Sequence, residues 1–219
     1  MSDFIVHSIP GSPYGRAVLA TLEEKNADYR LAPIALGAQK IEPHISRHPF
    51  GRIPALEHDG FLLYETQAIL RYLDRVLRDP AMTPVSAKLA AQMDQAMNVN
   101  DWYLYQGVAN VIVFHRVVAP RLLGSTPDET AIAAAMPKAR LTFRELSRLL
   151  GSQTFFAGDS ISLADLMIAP QLEIFSRAPE WAPLTADAPN LVAWLERMNE
   201  RASFKATTWE RLAAMAEAA

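Results

Sequence analysis

Apolar residues follow two rhythms along this chain. Up to about residue 78, short apolar runs suited to buried strands alternate with stretches of helical period, and beyond Ser86 only the helical period persists. Phe4 to Ile9 reads as a strand. Pro10-Gly11-Ser12-Pro13 then turns the chain into a helix from Tyr14 to Asn26, with Val18, Leu19 and Leu22 on one side. Tyr29 to Ile34 is a second strand, after a connection long enough for a right-handed parallel crossover. Gln39 to Arg47 reads as a weaker helix. Pro54 to Glu57 and Phe61 to Tyr64 pair about Asp59-Gly60, a dipeptide suited to a two-residue hairpin turn. Thr66 to Leu77 makes a third helix with Ile69, Leu70 and Leu73 inward.

A βαβ unit followed by ββα, with the weak helix between them, is the thioredoxin-like arrangement. The expected fold class is therefore α/β plus all-α, a βαβαββα domain over residues 1–79 followed by an all-helical domain over 86–219. Pro80 and Pro84 mark the linker. Helices are expected at Ser86–Ala119, Asp128–Leu150, Leu163–Arg177, Ala188–Asn199 and Phe204–Ala216. In Gly158-Asp159-Ser160-Ile161-Ser162-Leu163-Ala164-Asp165, Ser162 takes an N-cap position and Asp165, three residues on, reaches back to it. That box fixes a buried helix start and has no chemical role.

Composition narrows the chemistry. The 219 residues are half apolar and carry a net charge of −3, which gives no general attraction to nucleic acid or anionic lipid, so any basic site is local. There is no cysteine. Disulfides, thiolate metal sites and a protein-borne thiol nucleophile are excluded, and sulfur chemistry would need a sulfur carried in by a ligand. The first residues, Met-Ser-Asp-Phe-Ile-Val-His, lack a basic flank and a long apolar run, and no stretch reaches the ~18 apolar residues of a membrane span. A cytosolic location is expected. No phosphate loop and no Gly-x-Gly-x-x-Gly follows a strand, which argues against nucleotide chemistry. His44 and His48 stand at i and i+4, but with no third ligand nearby they are expected on a solvated helix face, with no metal.

The residue types leave open what the loops do. Ser12 before Pro13 reads as a helix cap, and its hydroxyl has a proton left to give a ligand. Pro54 at a strand entry reads as an edge-strand proline, and Glu65-Thr66 as an acidic residue and cap at the start of a helix. Taken together, however, Ser12-Pro13-Tyr14-Gly15-Arg16, then Arg52-Ile53-Pro54, then Glu65-Thr66 resemble the glutathione-binding domain of serine-type glutathione S-transferases. The segment Gly37-Ala38-Gln39-Lys40-Ile41-Glu42-Pro43 resembles that of the phi class, with Gln39 where histidine is usual and Arg52 where glutamine is usual. The family carries the Ser-x-x-Asp box as well.

This resemblance implies an enzyme that conjugates glutathione, as co-substrate and without metal, to hydrophobic electrophiles. Ser12 would be the catalytic residue, donating a hydrogen bond to the glutathione thiolate. Ile53, through a cis Pro54 bond, would pair with the tripeptide backbone; Glu65 and Thr66 would take its γ-glutamyl end; Gln39, Lys40 and Arg52 would take its glycyl carboxylate. Tyr14, Phe114 and Val118 would line the electrophile pocket. The same thiolate could serve peroxide reduction or dehalogenation, and the fold also occurs as a non-catalytic binding or assembly module. A homodimer is expected, with exposed Phe50 in the Pro49-Phe50-Gly51 turn reaching a second subunit.

Overall fold

The structure, a computed structural model, describes residues 4–217. They fall into two compact units, residues 4–83 together with 200–217, and residues 84–199. The second unit is helical throughout, and the chain from Glu200 onward packs with the first.

In the first unit, strand β1 (Phe4–Ser8) lies between β2 (Tyr29–Pro33), parallel to it, and β3 (Ala55–His58), antiparallel; β4 (Phe61–Tyr64) pairs with β3 at the edge. The sheet order is β2-β1-β3-β4. Phe4, Val6, Leu31 and Leu56 are buried against helices α1 (Pro13–Glu24) and α3 (Thr66–Val76), whose Val18, Leu19, Leu22, Ile69, Leu70 and Leu73 complete the core. Helix α1 lies so close to β1 that a Cβ on Gly15 would come within 2.0 Å of Ser8 Oγ, so only glycine fits. At the hairpin Asp59 and Gly60 have φ of 51° and 76°, the two left-handed residues of the expected turn.

The expected helix over Gln39–Arg47 is instead a single 3₁₀ turn, Ala38–Lys40, and a four-residue helix α2 (His44–Arg47). Pro43 separates them, because proline has no N–H to continue a helix and disfavours helical backbone at Glu42 before it. Lys25 and Asp74 tie α1 to α3 in a buried pair with Nζ 2.6 Å from Oδ1, and Lys25 also donates to the Pro80 carbonyl. At its far end the chain returns through α11 (Ala202–Ala206) and α12 (Trp209–Glu217). Arg16 is buried and donates to the Phe204 carbonyl at 3.1 Å, with its guanidinium over the Phe204 ring.

The second unit departs from the expected long helix Ser86–Ala119. Helix α4 (Ala87–Val99) runs on into a wider π-type stretch, Asn100–Ala109, that is interrupted at Gln106 (ψ 110°) and Gly107 (φ 77°). The Gly107 N–H is taken by Asn110 Oδ1 at 2.6 Å, Lys138 caps the freed Gln106 carbonyl, and α5 (Asn110–Val113) restarts the helix. A second π-type stretch, Phe114–Val118, leads into α6 (Ala119–Leu123). Helices α7 (Glu129–Leu150), α8 (Leu163–Phe175), α9 (Trp181–Thr185) and α10 (Pro189–Glu200) complete the chain's helical half. Asp165 is fully buried: its carboxylate accepts from the N–H groups of Phe156 and Ser162, the Ser162 hydroxyl and Trp194 Nε1 at 2.6–2.9 Å. The Ser162/Asp165 box is thus the anchor of α8. No helix is long and apolar enough to cross a membrane, among the described residues.

Candidate active site

Strand register gathers the candidate residues of the first unit at one end of the sheet. His7 pairs with Ala55, and Ala55 pairs with Tyr64, so the chain leaving β1, the chain entering β3 and the chain leaving β4 meet there. Those three segments carry Ser12, Arg52-Ile53-Pro54 and Glu65-Thr66. Ser8 pairs with Pro33, so the segment after β2, which carries Gln39 and Lys40, starts from the same end.

Ser12 caps α1. Its backbone is extended (φ −64°, ψ 123°), Pro13 fills the first helical position, and its Oγ accepts the Gly15 N–H at 3.2 Å. Used as an acceptor here, the hydroxyl keeps its proton for another partner. Just before it, Gly11 (φ 87°) lies beneath the Trp209 indole, and a Cβ there would be 2.6 Å from the ring. Trp209 is a contact that sequence reasoning missed. It stands almost two hundred positions from Gly11, with no local pattern to mark it.

The Ile53–Pro54 peptide is cis, as the resemblance implied, and Pro54 is buried while Ile53 is half-buried. The ladder to β4 starts only at Ala55. A tight turn closes His48 to Gly51 (Gly51 N to His48 O, 2.8 Å) and seats Gly51 against the other segment: a Cβ on it would be 3.3 Å from the Gln39 carbonyl and 3.5 Å from Lys40 Cα. Gln39, Lys40 and Arg52 are therefore brought together. Gln39 spends its carbonyl oxygen on the Gly37 N–H (2.8 Å), which leaves its amide hydrogens as donors; Lys40 and Arg52 are exposed.

Glu65 is exposed and adopts φ 70°, ψ 113°, outside the usual regions for a residue with a side chain. Its side chain makes no capping bond to α3, so the carboxylate is not spent on the helix. Thr66 beside it is buried. In the second unit, Phe114 is exposed with its ring edge-on to His115, and Val118 is half-buried. Arg116 between them forms paired hydrogen bonds with both Glu129 and Glu180, which hold the stretch to α7 and α9. Tyr14, the third residue expected at the electrophile pocket, is half-buried on α1 in the first unit.

The histidines of α2 do not lie on a solvated face. His44 and His48 are each 2% exposed. His44 Nε2 lies 2.7 Å from the Arg52 carbonyl and the His48 ring packs on Tyr64. Among the described residues, no group of three or more His, Asp or Glu side chains is arranged to hold a metal ion.

Known proteins with this arrangement agree in sequence. A family profile described as the glutathione S-transferase N-terminal domain matches residues 2–75, and one described as the C-terminal domain matches 109–202. Glutathione S-transferase F7 of Arabidopsis thaliana is 30% identical over 208 residues, 94% of this chain and 99% of that protein. Glutathione S-transferase 1 of Zea mays is 30% identical over 185 residues, 83% of this chain and 85% of its own. The crystal structure of glutathione transferase F7 from Populus trichocarpa superposes with a TM-score of 0.83 at 31% identity, covering 97% of this chain and 99% of that one. With both domains matched in order and the plant F-type relatives aligned nearly end to end, the chain belongs to the glutathione S-transferase family and is phi-class-like.

Proposed function

We propose that the protein joins the glutathione thiolate to hydrophobic electrophiles, and that Ser12 stabilises that thiolate. The observation that carries this reading is the meeting of four segments at one end of the sheet, with a hydroxyl, a backbone entering a strand, a carboxylate and two cations on them. Glutathione is a peptide with a thiol in the middle, an ammonium and carboxylate at one end, and a carboxylate at the other. Ile53 offers its backbone to the cysteinyl unit as one strand does to the next. Glu65 pairs with the ammonium. The Thr66 hydroxyl and the start of α3 take the adjacent carboxylate, and Lys40, Arg52 and the Gln39 amide take the glycyl carboxylate.

Ser12 cannot act as a base, since its hydroxyl is far less acidic than a thiol. It donates instead. A hydrogen bond to a charged group contributes ~1.5–3 kcal/mol, which lowers a thiol from about 8.5 by one to two units. The positive end of α1, which Ser12 caps, acts in the same direction. The bound thiol would then be largely ionised near neutral pH and ready to attack an electrophile.

The chain works as a homodimer on this reading, with Phe50, 72% exposed, seated on the partner subunit. The cytosol, with its glutathione pool, is the matching compartment. Calorimetry with glutathione followed by turnover of a chromogenic aryl halide tests the proposal. Binding with conjugation is expected. Binding without conjugation, peroxide reduction or dehalogenation would show a non-catalytic module, and absence of binding would overturn the reading altogether.

A further inference from the structure

We propose that His44 is a positioning residue for glutathione, holding the Arg52 carbonyl so that the Arg52-Ile53-Pro54 backbone keeps the orientation the tripeptide pairs with. This rests on the function proposed above. The carbonyl can only accept, so His44 Nε2, 2.7 Å away, is the donor. Nδ1 is buried without a hydrogen-bond partner in the described residues. The ring therefore offers a single directed contact, and that contact lies on the residue before Ile53.

His7 from β1, Arg47 from α2, His48 just after it and Arg52 from the turn face this layer, and Glu57 of β3 lies 3.5 Å from His7 Nε2. Burial, then His44 and Arg52, hold His48 below the ordinary histidine value. The His48 ring packs 4.8 Å from that of Tyr64, the residue before Glu65. His44 and His48 thus brace both arms of the peptide site, His44 by a hydrogen bond and His48 by packing.

His44→Leu removes the N–H and keeps the site apolar, whereas His44→Gln places an amide N–H where Nε2 stood. His44→Asn, one methylene shorter, falls short of the carbonyl. Three readouts apply to each purified full-length variant: glutathione affinity by calorimetry, the ultraviolet titration midpoint of bound thiolate, and hydrogen exchange at Gly51, Arg52, Ile53 and Ala55 without ligand. We expect His44→Leu and His44→Asn to bind glutathione about three- to tenfold more weakly and to exchange faster at those amides. His44→Gln should restore both, and the thiolate midpoint should stay in place throughout, since Ser12 sets it. Wild-type affinity in His44→Asn, or His44→Gln as weak as His44→Asn, would overturn the positioning role alone. A wild type that does not bind glutathione would refute the proposed function, and this role with it.

Discussion

Replacing Glu65 separates two properties that one residue combines. Its backbone, at φ 70° and ψ 113°, costs a residue with a Cβ on the order of 1–3 kcal/mol, while its carboxylate is free of the helix it precedes. Glu65→Gly relieves the backbone but loses ~0.5–1 kcal/mol to the extra freedom of glycine in the unfolded chain. The net expectation is a gain of about 1 kcal/mol, or a melting temperature higher by roughly 2–4 °C for a chain of this size. Glu65→Ala keeps the strained backbone and should melt with the wild type. On the proposed reading, both variants lose the partner of the γ-glutamyl ammonium. Because Glu65 is exposed, the low end of the range for hydrogen bonds to charged groups applies, about 1.5 kcal/mol or roughly tenfold in glutathione affinity. A glutathione analogue without the α-amino group should bind wild type and variants alike. Calorimetry with both ligands, beside thermal melting, reads all of this. A less stable Glu65→Gly would refute the strain argument, and equal weakening of both ligands would make Glu65 a structural acid.

Two further outcomes follow from buried and exposed extremes. Burial opposes the charge on Asp74, but Lys25, Thr83 and the Met82 N–H outweigh it and hold the carboxyl below its ordinary value. Stability from this group is present above about pH 4 and is lost as pH falls through the folded value. Asp74→Asn should cost about 3–5 kcal/mol at neutral pH by stranding the buried Lys25 ammonium, and should flatten the acid limb in urea titrations at a series of pH values. An unchanged limb would remove Asp74 as its source. Phe50→Ala should shift a micromolar dimer toward monomer in sedimentation; a monomeric wild type would sink the dimer, and an unaffected mutant dimer would remove Phe50 as its anchor.

What the sequence made legible was local. The Asp59-Gly60 turn, the strand rhythm of residues 4 to 64 and the Asp165 box each depend on neighbours within a few positions, and each appears as expected. Contacts between distant residues were not legible. Arg16 meets Phe204, Gly11 meets Trp209, and the last helices pack with the first unit through pairings that no periodicity encodes. The break at Gln106-Gly107 carried a weak mark, a glycine three positions before Asn110, but it depends on Lys138 from another helix. His44 and His48 misled for a different reason. Helical spacing shows that two side chains share a face, and only the tertiary fold decides whether that face meets solvent or the sheet.

The central claim is that the Ser12 hydroxyl lowers the pKa of bound glutathione. It is tested most directly by following thiolate absorbance of the glutathione complex against pH in wild type and Ser12→Ala. The variant loses the cap to Gly15, about 1 kcal/mol of stability, and stays folded. Its thiolate midpoint should rise by about one to two units relative to wild type. A midpoint that does not move would leave Ser12 as a helix cap and contradict the account.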